Sequence, residues 1–157
     1  EVHGKPIAAV SGLEAIAEEA LAGQDAGERT AQFVAPFLDA RRGQIFGAIY
    51  RRTTPGGTGL ALVSDESILS VDEFLEMVKA KSPGSVELVS PTPDALPASR
   101  IENVLPGARV VQVPGALAPA IGRLGFERAK SGDLVDALSL DANYVRRSDA
   151  EAAWKDG

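Results

Sequence analysis

The sequence FLDARRGQIFGAIY, at positions 37–50, decides the fold of this chain. Two apolar, β-prone runs flank a short charged segment that ends in glycine, which is the pattern of a β-hairpin. It predicts strands over residues 33–38 and 44–52, joined by a turn in which Gly43 supplies a positive φ. Asp39 ends the first strand, where its carboxylate can accept a hydrogen bond from the backbone N–H of Arg41 or Arg42.

The segments after the hairpin change their hydrophobic period. A glycine-rich turn at residues 54–59 leads to a third strand over residues 60–63, so the first three strands form an antiparallel meander. Ser70 and Glu73 have the spacing of a capping box, which predicts a helix that ends near Lys79 and Lys81. Short apolar runs at 86–89 and 108–113 are separated by helical sequence around 99–104, which favours parallel pairing in a buried sheet. A last helix is predicted over residues 117–130.

A helix also precedes the hairpin, because Ser11 and Glu14 form another capping-box pattern and residues 13–21 carry their apolar side chains on one face. From the first strand onward the order is βββαβαβα, which is the order of the ribonuclease-H-like unit found in both lobes of actin-like proteins. The predicted fold class is therefore α/β. We expect a mixed sheet of about five strands, three antiparallel and then parallel βα units, with helices packed on it.

The bulk composition is typical of one soluble globular domain: 157 residues, 45% apolar and 24% charged. Cysteine is absent, which excludes disulfides and thiolate metal sites and fits a reducing, cytoplasmic compartment. No run of about 18 apolar residues predicts a membrane span, and no signal peptide is visible. The chain enters an apolar run at residues 6–10 without an initiator Met, which indicates a part of a larger protein.

The charge balance argues against strong direct nucleic-acid binding. The net charge is -6, and 16 basic residues stand against 22 acidic ones. The arginines occur as pairs, such as Arg41 with Arg42, and not as a stripe that could follow phosphates.

The sequence predicts no catalytic, cofactor-binding or metal-binding residues. His3 is the only histidine, so neither a His-x-x-x-His metal pair nor a well-placed triad base is available. The turn at 54–59 lacks the Lys-Ser/Thr of a phosphate-binding loop. The remaining candidates are motif or interface residues, since arginine and tyrosine are favoured at protein interfaces. These candidates are Asp39, Arg41, Arg42, Gly43, Tyr144 and Arg146.

Two readings of these candidates stay open. Asp39 either fixes the turn or contacts a ligand or partner. Arg41 and Arg42 either lie in an exposed turn without a partner protein or belong to an interface. Tyr144 and Arg146 belong either to an interface or to a docked C-terminal segment. We expect Arg146 to pair with Asp39.

Three segments together resemble the TsaB (YeaZ) family, which bacteria need to make threonylcarbamoyladenosine in tRNA. Positions 6–20 resemble its P-hydrophobic-x-x-V-S-S-L-E-A-L-A segment. Positions 38–46 resemble its D-A-R-x-G-E-V-Y hairpin, with Gln44 and Phe46 in place of Glu and Tyr. Positions 143–147 resemble its closing P-x-Y-L-R, with Ala142 where the proline would stand.

The resemblance implies that residues 1–157 form a single domain, the C-terminal lobe of a two-lobed protein. The family's N-terminal actin-like lobe carries D-T-S and G-P-G-S-F-T-G-L-R, and neither motif occurs here. The implied function is a non-catalytic scaffold without a cofactor. It would support the catalytic subunit TsaD and the ATPase TsaE through the full-length protein, and a homodimer is a further expectation.

Two alternatives follow from the same resemblance. The family shares an old glycoprotease label with TsaD, so a peptidase or hydrolase activity is one alternative, although the metal-binding histidines that it needs are missing. A ribonuclease-H-like or actin-like domain with another binding role is the other.

Overall fold

The computed structural model describes residues 5–23, 31–53, 59–137 and 140. Four helices, five strands and one 3-10 turn occur in this part of the chain. In chain order they are α1 (Gly12–Ala22), β1 (Phe33–Asp39), β2 (Gln44–Arg52), β3 (Leu60–Ser70), α2 (Val71–Lys81), β4 (Val86–Ser90), the 3-10 turn (Pro93–Ala95), α3 (Ala98–Val104), β5 (Arg109–Gln112) and α4 (Ala118–Ser131).

The five strands form one mixed sheet in the order β3-β2-β1-β4-β5. β1 pairs antiparallel with β2, and β2 pairs antiparallel with β3, as a meander requires. β1 pairs parallel with β4, and β4 pairs parallel with β5. The predicted class, an α/β fold of the ribonuclease-H-like and actin-like type, is confirmed.

Helices cover both faces of the sheet. On one face, α2 and α3 bury Phe74, Leu75 and Ile101 against apolar side chains of β1 and β2. On the other face, α1 buries Leu13, Ile16 and Leu21, and α4 packs on α1. Each fully buried side chain of this size contributes about 1.5–3 kcal/mol. No helix in the described part of the chain has both the length and the apolar character needed to cross a membrane.

The central strand β1 contains a proline that the pairing accommodates. Pro36 lies in register with Val89 of β4, while the β1–β2 ladder has no partner between Val34 and Phe37. Proline has no N–H to donate, so this break in the ladder is expected.

Close packing explains the glycine at position 47 in β2, because a Cβ at Gly47 would lie 2.3 Å from Cε2 of Phe74.

The prediction for the third strand was wrong in its extent. β3 runs to Ser70 and pairs with β2 along its length, with register shifts between Gly47 and Tyr50. Asp65 and Glu66, which follow the predicted strand, therefore lie inside the observed one. The polar run 64–67 resembles a loop locally, but pairing with β2 determines its conformation.

The prediction of a buried fifth strand was also wrong. β5 does pair parallel with β4, but it is an outer strand, and Val110 is 41% exposed.

The predicted capping box of Ser11 and Glu14 at the start of α1 is half formed. The Ser11 hydroxyl accepts from the backbone N–H of Leu13 and Glu14, whereas the Glu14 carboxylate binds Arg128 at 2.5 Å.

Candidate functional site

The tip of the β1–β2 hairpin places the sequence motif at one edge of the sheet. The backbone N–H of Arg41 donates to Oδ1 of Asp39 at 2.7 Å, which confirms the predicted role of this carboxylate in the turn. The N–H of Ala40 donates to the carbonyl of Gln44 at 2.9 Å, and the N–H of Gln44 donates to the carbonyl of Arg41 at 3.0 Å. The turn is therefore closed by backbone and side-chain bonds together.

Three consecutive residues of this turn have a left-handed backbone. Their φ angles are 67° at Arg41, 54° at Arg42 and 73° at Gly43, whereas the sequence predicted this conformation for Gly43 alone. For a residue with a Cβ, this conformation costs about 1–2 kcal/mol. The hydrogen bond to Asp39 helps to maintain it. Backbone strain of this kind is concentrated at functional sites, so the turn is the leading candidate.

Parallel pairing brings a second loop beside this turn. The carboxyl ends of β1 and β4 lie at the same edge of the sheet, and a groove of about 520 Å³ separates the hairpin from the loop that follows β4. Thr92 and Asp94 line it from the far side, and Asp39 and Arg41 line it from the hairpin. The backbone N–H of Thr92 is held by the Ser90 hydroxyl at 3.0 Å.

The groove offers charged and hydrogen-bonding groups to solvent. The Arg41 side chain is 86% exposed, and its Nη1 lies 3.7 Å from Oδ2 of Asp39, whose side chain is 42% exposed. An exposed pair of this kind contributes at most about 1 kcal/mol, so a ligand or partner can replace it at small cost. None of the described lining residues is His, Cys or Lys. Its charged lining residues are Asp39, Asp94 and Arg41.

Sequence reasoning did not identify Thr92 and Asp94, because the loop at 91–97 looked like a proline-rich connection. The parallel pairing of β1 with β4 brings this loop to the hairpin, and the sequence patterns did not predict that pairing. Tyr144, Arg146 and His3 lie outside the described residues, so the pairing of Arg146 with Asp39 stays a prediction. Within the described residues, no group of three or more His, Cys, Asp or Glu side chains could hold a metal ion.

A buried ionic cluster lies at the end of the sheet opposite the hairpin tip, and the sequence patterns did not predict it. Arg52 Nη2 lies 3.1 Å from Oε2 of Glu87, and these side chains are 3% and 1% exposed. Arg109 Nη1 approaches the other carboxylate oxygen of Glu87 at 3.4 Å. Glu87 stands inside an apolar strand, and a buried carboxylate requires a paired cation. This cluster ties β2 and β5 to β4 and explains why Arg52 is not a surface residue.

Known proteins resemble this chain in sequence and in fold. No protein-family model matches the chain. The tRNA threonylcarbamoyladenosine biosynthesis protein TsaB of Bacillus subtilis (strain 168) is 30% identical over 149 residues, which is 95% of this chain and 59% of that protein. A crystal structure of an uncharacterized protein with similarity to peptidase YEAZ from Pseudomonas aeruginosa superposes with a TM-score of 0.62 at 21% identity. That match covers 90% of this chain and 60% of the other.

The structural match supports the assigned fold, and the sequence match supports the similarity to TsaB. The chain spans about three fifths of the length of each of these two proteins. The resemblance predicted from the sequence is confirmed, because over 95% of its own length the chain is similar to a TsaB protein.

Proposed function

We propose that this chain is the C-terminal lobe of an accessory protein in the formation of threonylcarbamoyladenosine on tRNA. In this proposal the lobe has no catalytic centre, binds no cofactor and acts in the cytoplasm by supporting a catalytic TsaD-type subunit. The observation that carries the proposal is the alignment with TsaB, which extends over 95% of the chain.

The properties of the described residues support a binding role. The hairpin tip maintains a strained, solvent-exposed turn with an 86% exposed arginine beside a groove, which is the kind of surface that recognises another molecule. The overall charge of -6 is unfavourable for gripping tRNA directly, so we assign tRNA binding to other subunits. Contacts with TsaD and with the ATPase TsaE would be made by the full-length protein.

The test is co-purification of the full-length protein with the TsaD subunit of the same organism. We expect one complex in size-exclusion chromatography. If the hairpin tip belongs to the interface, Arg41→Ala weakens the complex, whereas Arg100→Ala does not. Arg100 is a matched control, because it is also exposed, at 55%, and its partner Asp72 lies on α2.

Two results would count against the proposal. Failure of the wild-type proteins to associate at micromolar concentrations would remove the scaffold role. Turnover of a peptide or glycoprotein by the isolated protein, abolished by a chelator, would instead support the glycoprotease alternative.

A further inference from the structure

A second surface lies between the outer strand β3 and α4, away from the hairpin tip. Two grooves, of about 410 and 470 Å³, adjoin there because Glu14 and Leu60 line both of them. We call this pair of grooves the β3–α4 surface. Phe126 lines one groove and Leu62 lines the other.

The β3–α4 surface exposes large apolar side chains. Phe126 is 63% exposed and Leu62 is 52% exposed, while the core beneath them is fully buried. Leu60 lines both grooves and so connects the two, and a contiguous exposed apolar surface can mark an interaction site. An amphipathic polypeptide segment with aliphatic side chains would remove both residues from water.

Acidic side chains dominate the lining of both grooves. Five carboxylates and two guanidiniums line them, and both guanidiniums are already paired. Arg128 binds Glu14 at 2.5 Å, and Nε of Arg123 lies 3.5 Å from Glu18. Burial raises the pKa of the Glu18 carboxyl above its ordinary value, although Arg123 opposes that shift. A further cation would therefore be favourable at this surface.

An exposed ring on this surface already accepts a cation. The Lys130 ammonium lies 5.5 Å from the centroid of the Phe126 ring, while it also pairs with Glu127 at 3.3 Å. A lysine or arginine from a partner can use the same ring face and carboxylate, since both interactions are exposed and individually weak.

We propose that the β3–α4 surface binds a basic, amphipathic segment of a partner protein. Aliphatic side chains of that segment would cover Leu62 and Phe126, and its lysines or arginines would face the carboxylates. A second copy of this chain is a poor occupant, because it would bring the same acidic lining against itself. The inference goes beyond the proposed function, since it requires neither tRNA nor a TsaD-type partner.

The test uses a model ligand and the whole chain. The probe is a fluorescein-labelled helical peptide of about 14 residues built from leucine and lysine, which is about four turns long. Its counterpart carries glutamate in place of lysine. Fluorescence anisotropy measures both affinities for the wild-type protein and for Phe126→Ser and Leu62→Ser. The control is Ile121→Ser, because Ile121 is 42% exposed on the same helix and lines neither groove.

We expect the lysine peptide to bind at least about tenfold more tightly than the glutamate peptide, and the affinity to fall as salt is raised. Phe126→Ser and Leu62→Ser should each weaken binding about tenfold, whereas Ile121→Ser should not. Circular dichroism confirms that each variant is folded, and these side chains are exposed enough for that to be expected.

Several results would overturn the inference. They are absence of binding to the lysine peptide, equal binding of the two peptides, and equal affinities of the Phe126 and Ile121 variants. A dimer in sedimentation velocity that Phe126→Ser dissociates would show that a second copy occupies the surface. None of these results bears on association with TsaD, so the two proposals fail separately.

Discussion

Replacing Gly47 by alanine tests how tightly the sheet packs on α2. A Cβ at this position would lie 2.3 Å from Cε2 and 2.9 Å from Cδ2 of Phe74, so the ring must move back by about 1 Å to reach ordinary contact. The ring has little room, because Phe74 is fully buried and its centroid is 6.0 Å from that of Phe37.

The expected cost follows from two opposing effects. Overpacking in a close-packed core costs about 1–3 kcal/mol, whereas replacing glycine by alanine in a strand recovers about 0.5–1 kcal/mol of conformational entropy. We therefore expect Gly47→Ala to lower the free energy of unfolding by about 1–2 kcal/mol. For a domain of this size the Tm falls by roughly 2–8 °C.

Urea denaturation of the variant and of a matched glycine variant measures this effect. Gly122→Ala is the control, because a Cβ there meets nothing within 4 Å, and alanine in a helix is favoured over glycine by up to about 1 kcal/mol. Phe74→Leu combined with Gly47→Ala should show a favourable coupling of at least about 0.5 kcal/mol, since the smaller side chain relieves the overlap. A Gly47→Ala protein as stable as the wild type, or strictly additive effects, would refute this reasoning.

Substitutions at three further positions probe the turn and the buried polar groups. Gly43→Ala should cost about 1–2 kcal/mol in urea denaturation and Gly43→Asn clearly less, because asparagine tolerates the φ of +73°; equal costs would show that strain is not the cause. Glu87→Gln should lower the free energy of unfolding by about 3–5 kcal/mol, because it removes the carboxylate charge that lies 3.1 Å from the buried Arg52 guanidinium, and an unchanged urea midpoint would contradict this. Burial raises the pKa of Tyr50 from 10.0 to about 12, so its contribution to stability is complete below pH 10 and is lost as pH rises to about 12. The urea midpoint should fall over that pH range, and it should fall less in Tyr50→Phe. Identical pH profiles of the urea midpoint in the two proteins would show that ionisation of Tyr50 does not cause the loss of stability.

Local patterns predicted the elements whose signals are local. The second strand has the predicted bounds, Gln44–Arg52, because apolar alternation and a turn glycine define it on both sides. The capping box of Ser70 and Glu73 is complete, and its helix ends at Lys81 as predicted. The Asp39 carboxylate accepts from Arg41 because an aspartate two residues before a turn amide makes this bond through local geometry.

Features that depend on distant partners were not predictable in the same way. β3 continues through a polar run because β2 supplies its hydrogen bonds, and β5 is exposed because it lies at the edge of the sheet. The groove at the hairpin tip needs Thr92 and Asp94, which are more than fifty residues away in sequence. The two adjacent arginines at 51 and 52 look alike in sequence, yet only Arg52 is buried.

We propose that the full-length protein is required for threonylcarbamoyladenosine synthesis as a non-catalytic subunit. The direct measurement is the content of this nucleoside in tRNA, determined by liquid chromatography and mass spectrometry before and after the protein is depleted from its host. We expect the modified nucleoside to fall on depletion and to return when the wild-type gene is restored. An unchanged content of the nucleoside in depleted cells would contradict the proposed function.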